Sequence, residues 1–206
     1  MVNREAINVC DKVAANFGKV GPKYWNDFGE RLVDLSSITS GSKVLDIGMG
    51  RGASLFPAID KVGMDGYVIG IDSSEAMVME TYKDILSKNI HNAEVKNMNT
   101  VKLNFHDNYF DNVICGFGIG YLLLSESKLN DIARVLKKYE QVAFSIWGKQ
   151  EEQKWLTEIV NKYLHTENKN NDGNSEIPKF DTVDDVIKIL NDAGFHDIKV
   201  YEENSI

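Results

Sequence analysis

The sequence predicts an α/β protein built on a doubly wound, mostly parallel sheet with helices on both faces. Three observations carry that prediction. Short apolar runs such as Lys43–Ile47, Tyr67–Ile71 and Asn112–Cys115 recur along the chain, and strands covered on both faces read this way. Amphipathic stretches of helical period separate them, and right-handed crossovers turn such alternation into a doubly wound sheet. The first run ends in a glycine turn, Gly48-Met49-Gly50-Arg51-Gly52, and the second ends in an acid, Asp72.

The elements follow in order. An amphipathic opening from Asn3 to Asn16 predicts a helix, punctuated by Gly18 and Gly21-Pro22. Pro22 suits the first turn of a second helix, whose stripe is Tyr24, Trp25, Phe28, Leu32 and Leu35 and which ends near Ser36. These are extra N-terminal helices ahead of the first strand, Lys43–Ile47. Ala53–Lys61 is a helix with Pro57 near its start, Tyr67–Ile71 the second strand, and Val78, Tyr82, Ile85 and Leu86 one face of the next helix. Glu94–Lys96 is a weak third strand and Asn112–Cys115 the fourth. Ser125–Lys138 is a helix burying Leu129, Ile132, Ala133 and Leu136, and Gln141–Trp147 is the fifth strand. A helix over Glu151–Leu164, a polar loop over Thr166–Pro178, a helix opened by the capping box Thr182-Val183-Asp184-Asp185, a stop at Gly194 and a last strand His196–Tyr201 complete the chain. One more antiparallel strand would close a sheet of this type, and few residues follow Tyr201 to supply it.

Bulk properties set limits. Two hundred and six residues fit a single domain, 1–206. Within it 1–40 form a helical lid, 41–147 a cofactor-binding core and 148–206 a C-terminal part. A net charge of −8 disfavours a nucleic-acid partner. Cys10 and Cys115 are far apart and read as reduced thiols; no Cys/His spacing suggests a metal. No apolar stretch approaches a membrane span and the charged start is no signal peptide, so the cytoplasm is the expected location.

The glycine turn presents bare backbone. Gly48 permits the turn, Gly50 a close ligand approach, and Gly52 close packing of the following helix. Asp46, a charge at the end of a buried strand, needs a partner: loop amides satisfy it, or it positions a cationic ligand group. Gly48-x-Gly50-x-x-Ala53 also fits a dinucleotide fingerprint, but that pattern has no general need for an acid two residues ahead. Asp72 either accepts a ribose diol or merely caps its helix through Asp72-Ser73-Ser74-Glu75; the glycine turn upstream favours the ribose.

Three segments in register carry a family resemblance. Val44-Leu45-Asp46-Ile47-Gly48-Met49-Gly50-Arg51-Gly52 resembles the first motif of class I S-adenosylmethionine-dependent methyltransferases. Val68–Met77 resembles their second signature and Phe110–Cys115 their fourth-strand segment, all within Gly41–Trp147. The closest look is to small-molecule and quinone-biosynthesis methyltransferases. The resemblance implies a Rossmann-like methyltransferase fold, S-adenosyl-L-methionine as cofactor, S-adenosyl-L-homocysteine as product, and a small-molecule acceptor. It implies that Asp46, Gly48, Met49 and Gly50 line the methionyl part and that Asp72, beside Ser73, accepts both ribose hydroxyls. Met77 would pack on the adenine face, although a helix Met is also ordinary core. Asn99 would meet the adenine amino edge with Met98 and Thr100 beside it, and Cys115 and Gly116 would approach the sulfonium.

Methyl transfer from a sulfonium needs alignment and exclusion of water, so no universal catalytic residue is expected. None of His91, His106, His165 and His196 stands out as a base. Tyr24, Trp25, Phe117, Tyr121 and Trp147 are expected at the carboxyl ends of the strands as an acceptor pocket or lid, with helix packing the plainer reading of Tyr24 and Trp25. Cys115-Gly116-Phe117-Gly118 replaces the Asn/Asp-Pro-Pro-aromatic motif of methyltransferases acting on adenine or glutamine nitrogens. Leu136–Glu140 lacks the Lys-Pro-Gly-Gly turn of many relatives, so an unusual entry into the fifth strand is expected. The alternatives are a nicotinamide-dependent oxidoreductase, for which Tyr121 lacks the Tyr-x-x-x-Lys partner, and a scaffold that binds cofactor without turnover.

Overall fold

The computed structural model describes residues 4–18, 24–99, 102–118, 126–147 and 182–203. The helix predicted over Glu151–Leu164, the polar loop after it, His165, Thr100 and Tyr121 lie outside the described residues. The chain divides into two compact units, 1–146 with 202–206, and 147–201.

In the first unit, helices α1 (Arg4–Val13) and α2 (Tyr24–Leu35) precede strand β1 (Lys43–Ile47). There follow α3 (Leu55–Val62), β2 (Tyr67–Asp72), α4 (Glu75–Ser87), β3 (Ala93–Asn97), β4 (Phe110–Gly116), α5 (Glu126–Val135) and β5 (Leu136–Ser145). The five strands are ordered β3-β2-β1-β4-β5, with every pairing parallel. The chain therefore winds one way from β1 to β3 and the other way from β4 to β5. Right-handed crossovers put α3 and α4 on one face and α5 on the other. The reversal between β1 and β4 opens a crevice outside the strand carboxyl ends, where ligands of such sheets bind.

Strand alternation divides the core. Val44, Val68 and Ile114 point to one face and pack with Leu32 and Val33 of α2, Leu55, Ala58, Ile59 and Val62 of α3, and Ile85 of α4. Their neighbours Leu45, Ile69 and Val113 point to the other face and are equally buried.

Several predicted details shift. Helix α4 buries Met77, Thr81 and Ile85, while Tyr82 and Leu86 stay 52% and 56% exposed. Its inward face is set by the Ser74 cap and by the sheet beneath. Helix α5 ends at Val135 and buries Val135 in place of Ala133, because β5 begins at once with Leu136. The missing turn there has a structural counterpart. Phe110 pairs with Leu136 and Asn112 with Gln141, so Lys137–Glu140 bulge opposite the single Asp111. Tyr139 in the bulge is left-handed, φ +67°, and fully exposed. Lys137 Nζ holds Asp111 at 2.5 Å, and the backbone amide of Lys43 donates to the same carboxylate at 2.8 Å.

In the second unit, α6 (Val183–Asp192) begins as predicted. The Thr182 hydroxyl accepts the Asp185 amide, and the Asp185 carboxylate accepts the Thr182 amide. The predicted strand His196–Tyr201 does not form: Asp197 is left-handed at φ +56°, and Val200 and Tyr201 are about half exposed. A left-handed residue near its start breaks the extended run that a strand needs.

Helix α2 lies on the loop after β1 because Gly29 has no side chain. A Cβ there would sit 2.2 Å from the Ala53 carbonyl oxygen, which is backbone and cannot turn aside. Gly29→Ala should cost about 1–3 kcal/mol, as overpacked sites do. A thermal melt followed by circular dichroism checks this; a Tm equal to that of wild type would contradict it.

Candidate functional site

The crevice is assembled from three segments at the strand carboxyl ends. The first is the turn after β1. Gly48 and Gly50 are left-handed, φ +70° and +51°, with open space where a Cβ would stand. The turn is held by its own amides. Those of Gly48 and Met49 donate to the Ile71 carbonyl at 2.8 and 3.0 Å, and that of Gly52 donates to Met49 O at 2.8 Å. The Gly50 amide donates to Asp72 Oδ2 at 2.9 Å, and its carbonyl accepts the Thr81 hydroxyl at 2.9 Å.

Asp72 ends β2 and is half-buried. Its other oxygen, Oδ1, accepts the Ser74 amide at 2.8 Å. Burial and the nearby Asp11 raise its pKa, while the amides of Ser74, Gly50 and Ser73 act in the opposite sense. Of these amides, Gly50 and Ser74 stand at hydrogen-bond distance; a carboxylate offers about four acceptor positions, so these two leave capacity for a diol. The capping reading of Asp72 is not met: the N-cap of α4 is Ser74, whose hydroxyl accepts the Met77 amide at 3.1 Å.

Asp46 sits at the foot of the turn with no exposed surface. One oxygen accepts the Ser54 hydroxyl at 2.8 Å, and the other, Oδ1, is buried without a partner. No loop amide satisfies it, contrary to the first of the two sequence readings. Burial pushes its pKa up to about 7, against the lowering effect of Ser54 and with a further rise from Asp72.

The third segment is the end of β4. Cys115 is buried, and burial pushes its thiol well above the usual range, with the Asp46 charge adding to the shift. Gly116 faces Ser54, 3.6 Å from where its Cβ would be. Phe117 is left-handed at φ +54° and its amide is held by Ser145. The turned backbone sets the Phe117 ring edge-on to Trp25 and Phe28, each at 5.4 Å, and Trp25 meets Phe17 at 5.6 Å and Tyr24 at 4.9 Å. Trp25 and Phe117, placed together by the sequence reading, do meet; Phe17 and Phe28 join them.

Other expected site residues are distributed less uniformly. Met49 and Met77 are 3% exposed. Met49 belongs to the core on the α3 face, and its sulfur lies 2.4 Å from where a Cβ on Gly70 would be. Ser73 and Met98 are half-buried and Asn99 is exposed. The Met98 amide and the Asn97 side chain both donate to the Asp72 carbonyl, which ties this loop to the acid. Trp147 belongs to the second unit and is 42% exposed. His91, His106 and His196 are exposed. His106 lines a cavity of about 480 Å³ with Tyr67, Lys96 and Tyr109, over the face of β2 and β3 that carries Ile69 and Glu94. Among the described residues, no group of His, Cys, Asp and Glu could hold a metal ion.

Sequence reasoning missed Ser54, Thr81, Asp11 and the role of Arg51. Ser54 had one signal, its position just ahead of a helix. Asp11, whose carboxylate accepts the Ser74 hydroxyl at 2.5 Å from α1, had none.

Comparison with known proteins decides what this crevice is related to. A model of the ubiE/COQ5 methyltransferase family matches residues 17–205. The chain belongs to that family. It is 32% identical over 142 residues to aklanonic acid methyltransferase DauC of Streptomyces sp. (strain C5), covering 69% of this chain and 64% of the relative. It is 36% identical over 88 residues to nocamycin O-methyltransferase of Saccharothrix syringae, with 43% and 31% covered. Demethylmenaquinone methyltransferase of Listeria monocytogenes serotype 4a is 29% identical over 147 residues, with 65% and 61% covered. The matched stretches thus span less than two thirds of these relatives' length. Among solved structures, an S-adenosylmethionine-dependent methyltransferase of Aquifex aeolicus superposes with a TM-score of 0.62 at 25% identity, covering 81% of this chain and 78% of the other. A Haemonchus contortus phosphoethanolamine N-methyltransferase, solved with S-adenosylhomocysteine, shares the fold with a TM-score of 0.63 at 18% identity, covering 84% and 38%. The expected fold and family are therefore confirmed.

Asp46 generates a test. An acid whose folded pKa is raised binds an extra proton in the fold from about pH 4 upward, so stability is lost as pH rises through about 7. Between pH 5 and pH 8 the wild type should lose about 2–3 kcal/mol relative to Asp46→Asn. Urea denaturation at the two pH values checks this; parallel pH dependence of the two proteins would refute it.

Proposed function

We propose that the protein transfers a methyl group from S-adenosyl-L-methionine to a small-molecule acceptor. The observation that carries this reading is the Asp72 carboxylate, fixed by the amides of Gly50 and Ser74 beside two glycines whose outer faces are bare. The residues fit the cofactor on three counts. Asp72 has acceptor capacity left for a sugar diol. Gly48 and Gly50 leave room for close backbone approach. Asp46 has a buried oxygen without a partner, suited to a cationic group nearby. Residues 41–147 are then the cofactor-binding core, with 1–40 covering it.

When bound, the cofactor supplies an electrophilic methyl on a sulfonium. The chain's contribution is binding, orientation and dryness. Asp72, with Ser73 next to it, holds the ribose through charge-assisted bonds worth about 1.5–3 kcal/mol each. Asp46, Gly48, Met49 and Gly50 take the methionyl end, Met49 through its backbone because its side chain is in the core. Met77, Met98, Asn99 and Thr100 take the adenine side. Cys115 and Gly116, at the carboxyl end of β4, would border the sulfonium, and burial keeps the Cys115 thiol protonated. Phe117, Trp25 and Phe28 form an apolar wall that orients an acceptor and excludes water, and Tyr24 lies against Trp25. Alignment of this kind lowers barriers by roughly 7–11 kcal/mol without a dedicated catalytic group.

The site chemistry disfavours a nicotinamide cofactor. A diphosphate needs free amides at the turn and a positive surrounding. Here the amides of Gly48, Met49, Gly50 and Gly52 are already engaged, and Asp46 and Asp72 flank them. The names of the matched relatives support a small-molecule acceptor, and the net charge of −8 suits that better than nucleic acid. Among the described residues, no helix is long and apolar enough to cross a membrane; a cytoplasmic location is part of the proposal.

Calorimetry should show one S-adenosylhomocysteine bound per chain and no binding of NADH. Asp72→Ala should weaken the former on the order of ten- to hundredfold; unchanged affinity would remove the ribose assignment. Turnover of labelled methyl over a panel of small acceptors separates an enzyme from a cofactor-binding scaffold.

A further inference from the structure

Arg51 lies inside the glycine turn yet points away from the crevice. Its side chain is 7% exposed. One terminal nitrogen donates to the Ala14 carbonyl, just past the end of α1, at 2.6 Å and lies 3.9 Å from Glu80. The other is bonded to Asp84 of α4. Its Nε is buried without a partner. A guanidinium so enclosed is tolerable only while oxygens surround it. One of those oxygens is present only when α1 is docked.

Among the described residues, helix α1 is seated by the buried Ala14 just past its end and by a few polar ties. Ten residues do not make a stable helix alone in water, and Val9 and Val13 are 60% and 40% exposed. A second polar tie among the described residues is Asp11, which accepts the Ser74 hydroxyl at 2.5 Å and the Ala76 amide at 3.4 Å. Docked in this way, α1 stands beside the ribose acid: burial and the charges of Asp72 and Asp11 raise the pKa of Cys10 on this helix. On the crevice side, the residue before Arg51 is Gly50, whose amide holds Asp72 and whose carbonyl holds Thr81. One residue, Gly50, thus connects the helix tie to the cofactor acid through the two peptide units on either side of it.

The geometry points to Arg51 as a positioning residue that couples docking of α1 to cofactor binding by fixing the Gly50 peptide against Asp72. This rests on the cofactor reading given above. By linkage, the factor by which docked α1 tightens binding equals the factor by which bound cofactor stabilises docked α1.

The test titrates S-adenosylhomocysteine into the full chain and its Arg51→Met and Arg51→Lys variants. Hydrogen exchange over residues 7–14 is followed with and without ligand. In the wild type, ligand slows exchange of the α1 amides. Arg51→Met weakens binding about ten-fold or more and abolishes that slowing. Arg51→Lys recovers part of both, since an ammonium still reaches one of the oxygens. A merely structural arginine would lower Tm and leave the ligand-induced slowing intact, and that result overturns the proposal. If Arg51→Met does not fold, Asp11→Asn loosens the other tie with Arg51 in place, and it should reduce affinity and α1 protection together. Wild-type affinity in the variants, or α1 exchange in the wild type that ignores the ligand, also overturns it. A wild type that binds no S-adenosylhomocysteine overturns the cofactor reading and this one with it; a binding wild type with unaffected variants overturns this one alone.

Discussion

The Asp72 carboxylate is the point on which the crevice is organised. Its two oxygens gather the Gly50 amide from the turn after β1 and the Ser74 amide from the start of α4. It thereby joins the two segments that would enclose a nucleoside. The ladder beneath does the rest: β1 pairs with β2 in register from Lys43–Tyr67 to Ile47–Ile71, so Gly48 and Asp72 leave the sheet side by side. Burying such a group raises its pKa, and backbone amides act against that rise. An acid that is half-buried, bonded to amides and still able to accept more has the properties that the proposed ribose-binding role requires.

Asp46, one strand position away from the turn, has the opposite arrangement. It is fully buried, has one hydroxyl partner and lacks amides, so the same physics pushes its pKa up to about 7. Two acids at the ends of adjacent strands therefore have different protonation tendencies, set by the hydrogen bonds that the turn supplies to one and withholds from the other. The turn spends its amides on Ile71, Asp72 and Met49. That choice accounts for both the affinity expected for a cationic nucleoside and the poor fit to a diphosphate.

Much of this was legible in the chain itself. Strands β1, β2 and β4 announce themselves as apolar runs, and the glycines and Asp72 mark the crevice because turns and close approaches restrict residue type. The α6 capping box was readable for the same local reason. What was not legible depends on tertiary contact. No pattern in the first fourteen residues says that Asp11 reaches Ser74 or that Ala14 receives Arg51. The rotation of α4, which buries Thr81 and exposes Tyr82, follows from where the sheet lies and from the bond between Thr81 and Gly50. The assignment of His196–Tyr201 to a strand failed because a β-rich composition does not form a strand without a neighbour, and because Asp197 turns the backbone the wrong way.

The bulge in β5 has a consequence for how the sheet can be extended. Only Gln141–Ser145 offer a regular ladder alongside β4, whereas Lys137–Glu140 bow out around Asp111 with two lysines and a left-handed tyrosine. Bulges and lysines on a strand block pairing by a foreign strand. The amino-terminal half of β5 is therefore guarded against edge-to-edge aggregation, and any strand that joins it is limited to a short, fixed register near the carboxyl end.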